Sequence, residues 1–388
     1  MATISGVLTG AQPQTHDALN NMNREPAAQN QRWHLTLVLL LGISALLALL
    51  YLFSPPKPPA PIPPALSPNA FNELMAAAGA ISGTRPDPIR NDPAEIAAYV
   101  AANRMALQGI FEALAKPCEA PPDLMNMVRH RNRGGDRGQL QNVWSLFIQV
   151  LMDAEFRGDR DTALQAATGL LALGRIVPEH GTFLDHLMVW SFENTAFRHL
   201  AMWRNEFDAD QCRTILARLH ELEKSRPGFE VMKRWDAYYS RLMTRDLRNF
   251  EGNDGFEWKE FLQTHAPGGA YWKDWDADAE RIRRIHDQRV AEAGLLKLEL
   301  ALRIHVLQRG VPPSRLHDLV PSIIPALPND PFASSGFVYR ISGTNWLLYS
   351  IGPDRVDDGG SPLIPPSLHG VPKGDIIFTN RPNRAVAP

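Results

Sequence analysis

The sequence has few cysteines, almost no net charge and none of the familiar catalytic motifs. Its 388 residues include two cysteines, Cys118 and Cys212, neither within a CxxC pair, which excludes zinc ribbons and thioredoxin-like sites. These thiols are expected either to form one disulfide or to remain free and buried. Forty basic and 42 acidic residues give a net charge of -2, which argues against a nucleic-acid partner. No Gly-x-Ser-x-Gly or His-Glu-x-x-His motif occurs, so we predict no catalytic residues and no enzyme.

Charge is also missing from a long apolar stretch near the N-terminus. Residues 35–53 read LTLVLLLGISALLALLYLF, and 19 helical residues span about 28 Å, close to the hydrocarbon thickness of a bilayer. We therefore predict one transmembrane helix at 34–54, in the inner (cytoplasmic) membrane. No small-x-small cleavage site follows it, which favours an uncleaved anchor over a signal peptide. Arg24 and Arg32 precede this helix while only Lys57 follows closely, which predicts a cytoplasmic N-terminus and an extracytoplasmic main domain.

The segments that flank this helix differ in composition. Residues 1–33 are rich in Gln, Asn and Ala without an apolar period, and we predict a disordered cytoplasmic tail. Residues 55–68 are rich in proline, which predicts an extended linker that holds the next domain away from the membrane. A ligand for proline-recognition domains is the alternative interpretation of this run. At the other end of the chain, residues 381–388 are predicted to be a tail.

Residues 69–297 have the apolar periodicity of a helical domain. Asp92 followed by Pro93, with Glu95 three residues after the cap, predicts the start of a helix. Two periodic segments separated by residues 158–159 predict a helical hairpin in the style of tetratricopeptide repeats, without their full consensus. The predicted helices cover 92–115, 139–156, 162–176, 179–204, 208–224, 229–249 and 277–309.

Four potential metal ligands fall on the predicted helix 179–204: His180, His186, Glu193 and His199. His186 and Glu193 share a face, but neither His180 nor His199 has the three- or four-residue spacing of a helical metal site. Histidines of the core or the surface are therefore favoured over a metal site.

Two further groups have both a functional and a structural explanation. The basic run Arg129–Arg133 begins the stretch 129–138, which we predict to be an exposed loop; phosphate or anionic lipid is its alternative role. An aromatic group could line a sugar or peptide groove, although packing against helices is the commoner role. Its members are Trp258, Phe261, Tyr271, Trp272 and Trp275.

Residues 298–380 have the pattern of a small α+β module. Its first helix is predicted to end at Gly310, which two prolines follow closely. Strands are predicted at 337–341 and 346–351, and the turn 343–345 between them indicates a short antiparallel sheet. The predicted fold class is mostly α, with one transmembrane helix, a proline-rich linker, a helical-hairpin domain and this α+β module.

Several carboxylates fall in or near one glycine-rich loop of this module: Asp354, Asp357, Asp358 and Asp375. Clustered carboxylates repel one another unless a cation joins them, and calcium takes six to eight oxygen ligands. The loop is not an EF-hand, because Val356 and Pro365 occupy two of its ligand positions. Calcium is therefore a candidate cofactor, and solvated turn carboxylates are the other interpretation of this spacing.

The order of features in the last 80 or so residues resembles the globular end of the major pseudopilin of type II secretion. The resemblance rests on Leu-x-x-Leu, Asp-Pro-aromatic, Leu-Tyr-Ser-Ile-Gly-x-Asp, Gly-Gly and Asp-Ile. It implies calcium ligands at Asp354, at one or both of Asp357 and Asp358, and at Asp375, with nearby carbonyls. The chain departs from that family because residues 35–53 lack its cleavage leader and the glutamate that follows. Assembly into a pseudopilus is therefore not predicted.

A second resemblance covers residues 139–378. The phrase Phe-Arg-Gly-Asp at 156–159, then Ala163 and Leu164, and the ending from Asp-Pro-Phe to Asp-Asp-Gly-Gly are similar to uncharacterised membrane-anchored proteins of planctomycete-type bacteria. This resemblance implies an architecture and no activity.

Together these features predict a structural or interaction scaffold of the cell envelope. Its partners would be the lipid bilayer and an envelope protein, with a link to secretion, and the helical hairpins would supply the binding surface. The alternatives are an envelope hydrolase, and a ligand-binding module for cell-wall or peptide ligands that uses the aromatic group.

Overall fold

The computed structural model of the chain describes two units of very different size. The described residues are 36–47, 57–87, 92–121, 134–250, 270–364 and 371–378, and their side chains are described except at 134–135, 243–250 and 270–278. Contacts divide the chain into Met1–Pro56 and Lys57–Pro388. The predicted proline-rich linker therefore groups with the larger unit from Lys57 onward.

The smaller unit is described only at residues 36–47, which form a helix with exposed side chains. These residues belong to the predicted membrane segment 34–54. The rest of that segment lies outside the described residues, as do the predicted tails 1–33 and 381–388. Within the ranges that are described, no helix is both long and apolar enough to cross a membrane.

The described part of the larger unit is mostly helical with a small two-stranded antiparallel sheet, as the sequence predicts. Its helices are α1 (Phe71–Gly79), α2 (Pro93–Ala102), α3 (Arg104–Leu114), α4 (Gly134–Arg157), α5 (Arg160–Leu173), α6 (Phe183–Trp203), α7 (Ala209–Ser225), α8 (Phe229–Phe250) and α9 (Ala270–Arg309). A 3-10 turn at Leu316–Leu319 and the strands β1 (Val338–Ser342) and β2 (Asn345–Tyr349) follow.

Polar side chains cap several helices and so define where they begin. The predicted cap at Asp92 is confirmed, because its Oδ1 accepts a hydrogen bond from the Ala94 amide at 2.8 Å. Helix α6 begins later than predicted, at Phe183. There Thr182 and Asp185 form a reciprocal capping box, which satisfies amide groups that would otherwise lack partners.

Helices α4 and α5 are joined by a sharp turn. Gly158 has φ of +66°, a conformation that glycine adopts without steric cost. Asp159 then accepts a hydrogen bond from the Thr162 amide at 3.1 Å and starts α5. Helix α4 packs on α5, and α5 packs on α6, so consecutive helices lie side by side.

The single helix predicted at 92–115 is wrong, because the chain breaks into α2 and α3 at Asn103. This side chain is buried, and its Nδ2 donates to the carbonyls of Tyr99 and Ser82 at 2.9 and 3.0 Å. Its Oδ1 accepts from the Ser82 amide at 2.8 Å. Such side-chain bonds to the backbone compete with the helical pattern, and here they hold the segment after α1 in place.

The loop predicted at 129–138 is wrong for residues 134–138, which form the first turn of α4; the remainder lies outside the described residues. The glycines in this turn make a helix less favourable by about 1 kcal/mol each. Leu140 and Val143 just beyond it are fully buried. Their burial favours the helix, and this outweighs the local preference of the glycines.

Helix α9 is buried on two faces and runs through both hydrophobic clusters of the unit. Leu296, Leu300 and Ile304 pack with the helices of the larger cluster. Leu295 and Leu298 pack in the second cluster, with the residues that follow α9. A helix that is apolar on most sides is expected in such an interior position. The predicted boundary between 297 and 298 falls inside this continuous helix.

The end of α9 and the strand pair closely follow the sequence patterns. Gly310 has φ of +79° and ends the helix. Strands β1 and β2 are antiparallel with Ser342 opposite Asn345, so Gly343 and Thr344 form the turn. The later segment 371–378 pairs with the residue that follows β2, through an antiparallel bridge between Ser350 and Ile376.

Candidate functional site

A groove lies along one side of α5, between α3 and α7. It has a volume of about 600 Å³, and alternate helices of the chain contribute its walls. Apolar atoms come from Phe111, Leu114 and Ala172, while the ionisable side chains that line it are Lys116, Arg175 and Arg218. This volume lies in the range of binding pockets, about 300–1,000 Å³.

The floor of this groove depends on one glycine in α5. A Cβ atom at Gly169 would come within 2.8 Å of the Phe111 ring and 2.9 Å of the Phe147 ring. These two rings meet edge to face, with centroids 5.4 Å apart. Glycine therefore lets the aromatic pair lie directly against the backbone of α5.

A second site is a buried charged cluster, which we define as Glu193, Arg226, Arg289 and Glu292. Arg226 follows α7 and binds the carboxylate of Glu193 on α6. On α9, Arg289 contacts Glu292 at 2.6 Å and donates to Asn194 on α6 at 2.5 Å. Glu193 is 2% exposed and Glu292 is 7% exposed. Pairing of opposite charges is what allows these groups to be buried.

Histidines and aromatic rings border the charged cluster. The ring of Trp190 lies 6.1 Å from that of His186 and 5.7 Å from that of His286. His286 also contacts Asp287, with its Nδ1 3.0 Å from Oδ1. His186 is buried, and its Nε2 has no hydrogen-bond partner among the residues that the structure describes.

Burial dominates the electrostatics of this region. It lowers the pKa of His186 to about 3, and electrostatic interactions with His286, Arg226 and His180 act in the same direction. Burial also raises the pKa of Glu193, while Arg226 and Arg289 oppose that rise. The imidazole of His186 is consequently neutral at physiological pH, whereas the contact with Arg226 favours an ionised Glu193.

The four ligands considered from the sequence form no metal-binding group among the described residues, and His199 is only partly buried. His180 precedes the helix, and its ring lies 5.5 Å from that of Trp235 on α8. Its pKa is lowered by burial. His186 and Glu193 do face the interior, as their shared face predicts, but Arg226 occupies the carboxylate.

A third polar group joins the helices to the C-terminal module. Glu299 on α9 lies 3.4 Å from Arg204 at the end of α6, and accepts from the Trp346 indole at 3.1 Å. Arg204 also donates to the carbonyl of Phe378 at 3.1 Å. Both charges are almost fully buried. These contacts therefore hold β2 and the segment 371–378 against α6 and α9.

The acidic loop of the C-terminal module is held by hydrogen bonds within the chain. Asp357 accepts from the Tyr349 hydroxyl at 2.7 Å and from the Gly359 amide at 2.9 Å. Asp375 is fully buried and accepts from the Gly360 amide at 2.6 Å. Asp354, which is partly exposed, accepts from the Gly374 amide at 3.2 Å.

The fourth predicted ligand, Asp358, is exposed, and its amide donates to Asp375 at 3.4 Å. The Tyr349 hydroxyl, followed by the Gly359 amide, lowers the pKa of Asp357, while burial raises that of Asp375. Among the described residues, no three His, Cys, Asp or Glu side chains are grouped so that they could hold a metal ion.

Cys118 and Cys212 are free thiols; Cys212 is buried, as the second alternative predicts, whereas Cys118 is partly exposed. Burial raises the pKa of Cys118 to about 12 and that of Cys212 to about 11. Since the thiolate is the reactive form, neither thiol is activated at neutral pH.

Two predicted groups lie wholly or partly beyond the described residues. The basic run Arg129–Arg133 is outside them, as are Trp258 and Phe261. Tyr271, Trp272 and Trp275 lie in the first turns of α9, where side chains are not described. The predictions of an anion-binding loop and an aromatic groove therefore remain predictions.

The sequence prediction missed Arg226, His286, Arg289 and Glu292. Arg289 and Glu292 are three residues apart within the buried part of α9. Charged residues inside such an apolar segment could have indicated a buried ion pair. The approach of Arg289 to Asn194, which is 95 residues away in the chain, had no local signal.

No protein-family model, no curated protein and no solved structure matches this chain. The resemblances to the pseudopilin end and to planctomycete-type membrane-anchored proteins accordingly remain predictions from the sequence.

Proposed function

We propose that the chain is a membrane-anchored scaffold of the cell envelope that holds a partner protein in the groove along α5. The groove supports this proposal, because the alternate helices α3, α5 and α7 line it. Helical-repeat proteins bind their partners on concave surfaces of this kind. The apolar sequence at 34–54 supports the anchor. This anchor would leave the larger unit on the extracytoplasmic side. The partner protein bound in the groove would provide the link to secretion.

A light-activated cross-linking residue at Gln165, which is exposed on α5 and lines the groove, tests the scaffold. We expect one discrete cross-linked product in the membrane fraction of living cells. The matched control places the same residue at Arg213, which is exposed on α7 and is not among the groove residues. Equal products at both positions, or none at Gln165, would contradict the proposal.

We propose in addition that the acidic loop of the C-terminal module binds calcium. Asp354, Asp357, Asp358 and Asp375 supply the oxygen atoms, and the amide hydrogen bonds to three of these side chains would then give way to the cation. The resemblance to the pseudopilin end supports this site.

Calcium is expected to raise the melting temperature of the full-length chain in detergent, relative to the same chain with a chelator. A ligand at a hundred times its dissociation constant stabilises a protein by about 2.7 kcal/mol. Asp354→Ala should remove the rise, whereas Asp210→Ala, at a 91% exposed side chain on α7, should keep it. An unchanged melting temperature at millimolar calcium would remove the proposed ion site.

An envelope hydrolase is the second candidate, on the basis of one contact. The Nδ1 of His286 lies 3.0 Å from Asp287, an arrangement that can orient a histidine as a general base. His286 is 8% exposed, and the rings of Trp190 and Phe229 lie beside it. A substrate would have to displace these rings, so the scaffold is preferred.

A further inference from the structure

We infer that the groove along α5 takes a short acidic segment of a partner protein, with carboxylates directed at Arg218 and Arg175 and apolar side chains on the groove floor. This inference rests on the proposed function, because it specifies the chemistry of the partner at the same groove. The signs of the groove charges, their state of pairing and the nature of the floor support it.

All the ionisable side chains that line the groove are cations. Lys116 is paired with Glu73 at 2.5 Å, and Arg175 lies 3.8 Å from Glu221. Arg218 is exposed and has no ion-pair partner among the described residues. The groove therefore keeps a positive charge that a carboxylate can neutralise.

Nearby helix ends explain the positions of two of the three cations. Lys116 and Arg175 each follow the end of a helix, α3 and α5, where positive charge interacts favourably with the helix dipole. Arg218 lies well inside α7, so no helix end explains it. Interaction with a helix end therefore does not explain why Arg218 lies at the wall of the groove, whereas binding of an anionic partner does.

The rest of the lining selects a peptide over an inorganic anion. Phe111, Leu114 and Pro117 supply apolar surface, and Gln165 is exposed beside them. An inorganic anion would leave this apolar surface uncovered. A segment that alternates acidic and apolar side chains covers both kinds of surface, since successive side chains of an extended peptide point in opposite directions.

The test measures the binding of a short fluorescent peptide of alternating glutamate and leucine to the full-length chain in detergent, by fluorescence anisotropy. We expect Arg218→Glu to weaken binding about tenfold, because an exposed attraction is replaced by a repulsion of similar size. Arg218→Lys should keep most of the affinity. Arg213→Glu on the same helix, at a side chain paired with Asp210, should change it less than twofold, which is about the effect of a distant exposed charge.

A peptide of alternating lysine and leucine should bind at least about tenfold more weakly than the acidic one. Equal binding of the two peptides, or equal losses for Arg218→Glu and Arg213→Glu, would overturn the inference. Absence of binding at about 1 mM acidic peptide would do the same. If the cross-link at Gln165 is then still formed, the groove binds a partner of different chemistry; if it is also absent, the proposed function fails as well.

Discussion

Replacing Glu193 with alanine is expected to lower the free energy of unfolding by about 3–5 kcal/mol. The carboxylate contacts Arg226, whose side chain is only 7% exposed, and the remaining guanidinium would be buried without its counter-charge. Arg289 also interacts with the same carboxylate, but it keeps its contact with Glu292, so the cation left without its counter-charge is Arg226. Urea denaturation monitored by circular dichroism measures the change.

Two variants separate the charge effect from simple loss of volume. The double replacement Glu193→Leu with Arg226→Met should restore much of the stability, because apolar residues of similar size can substitute for a buried pair. Glu221→Ala, which removes the exposed partner of Arg175, should cost less than about 1 kcal/mol. If Glu193→Ala lowers the free energy of unfolding as little as Glu221→Ala does, the prediction is wrong, and water would then reach the guanidinium of Arg226.

The stability of the protein is expected to fall in acid through His186. Its pKa is about 3 in the folded chain, below the usual value of 6.5, chiefly because of burial. Between these values the unfolded chain binds a proton that the folded chain does not, so the free energy of unfolding decreases as the pH falls from 6.5 to about 3. Each unit of pKa difference corresponds to about 1.4 kcal/mol, which makes the full effect about 5 kcal/mol.

His186→Gln should flatten this part of the stability profile, measured by urea denaturation at a series of pH values. The raised pKa of Glu193 has the opposite sign, since a folded carboxyl that binds protons more readily gains stability in acid. The comparison is therefore between the variant and the original chain at each pH. His220→Gln, at an exposed position on α7, is the control. If the free energy of unfolding changes with pH equally in both variants and in the original chain, the prediction is wrong. The folded structure would then accommodate a protonated His186.

Local signals in the sequence account for much of the helical layout. Asp92 with Pro93, Gly310 before its prolines, and the turn at Gly343 act through their own backbone and immediate neighbours. Such short-range effects do not depend on the rest of the fold, so they can be recognised without it. The break at Asn103 was not predicted, because its side chain bonds to Ser82, which is 21 residues away.

The candidate sites depended on the tertiary structure to a greater degree. The positions of His186 and Glu193 on one face were readable from helical spacing, whereas Arg226 reaches that carboxylate from a different helix end, 33 residues later. Arg218 belongs to an ordinary amphipathic helix, and only packing of α7 beside α5 makes it part of a groove. Neither pairing has a local pattern that could identify it.

Composition and periodicity by themselves determined a mostly helical chain, an apolar segment near its start and a short antiparallel hairpin near its end. The reason is that propensity, capping and amphipathic spacing act over a few neighbouring residues. Only the tertiary structure decided that α9 is buried on two faces, that its Arg289 donates to Asn194 on α6, and that α3, α5 and α7 line a groove. These features arise from contacts between residues far apart in the chain, and the solvent exclusion that makes them strong exists only once the helices have packed.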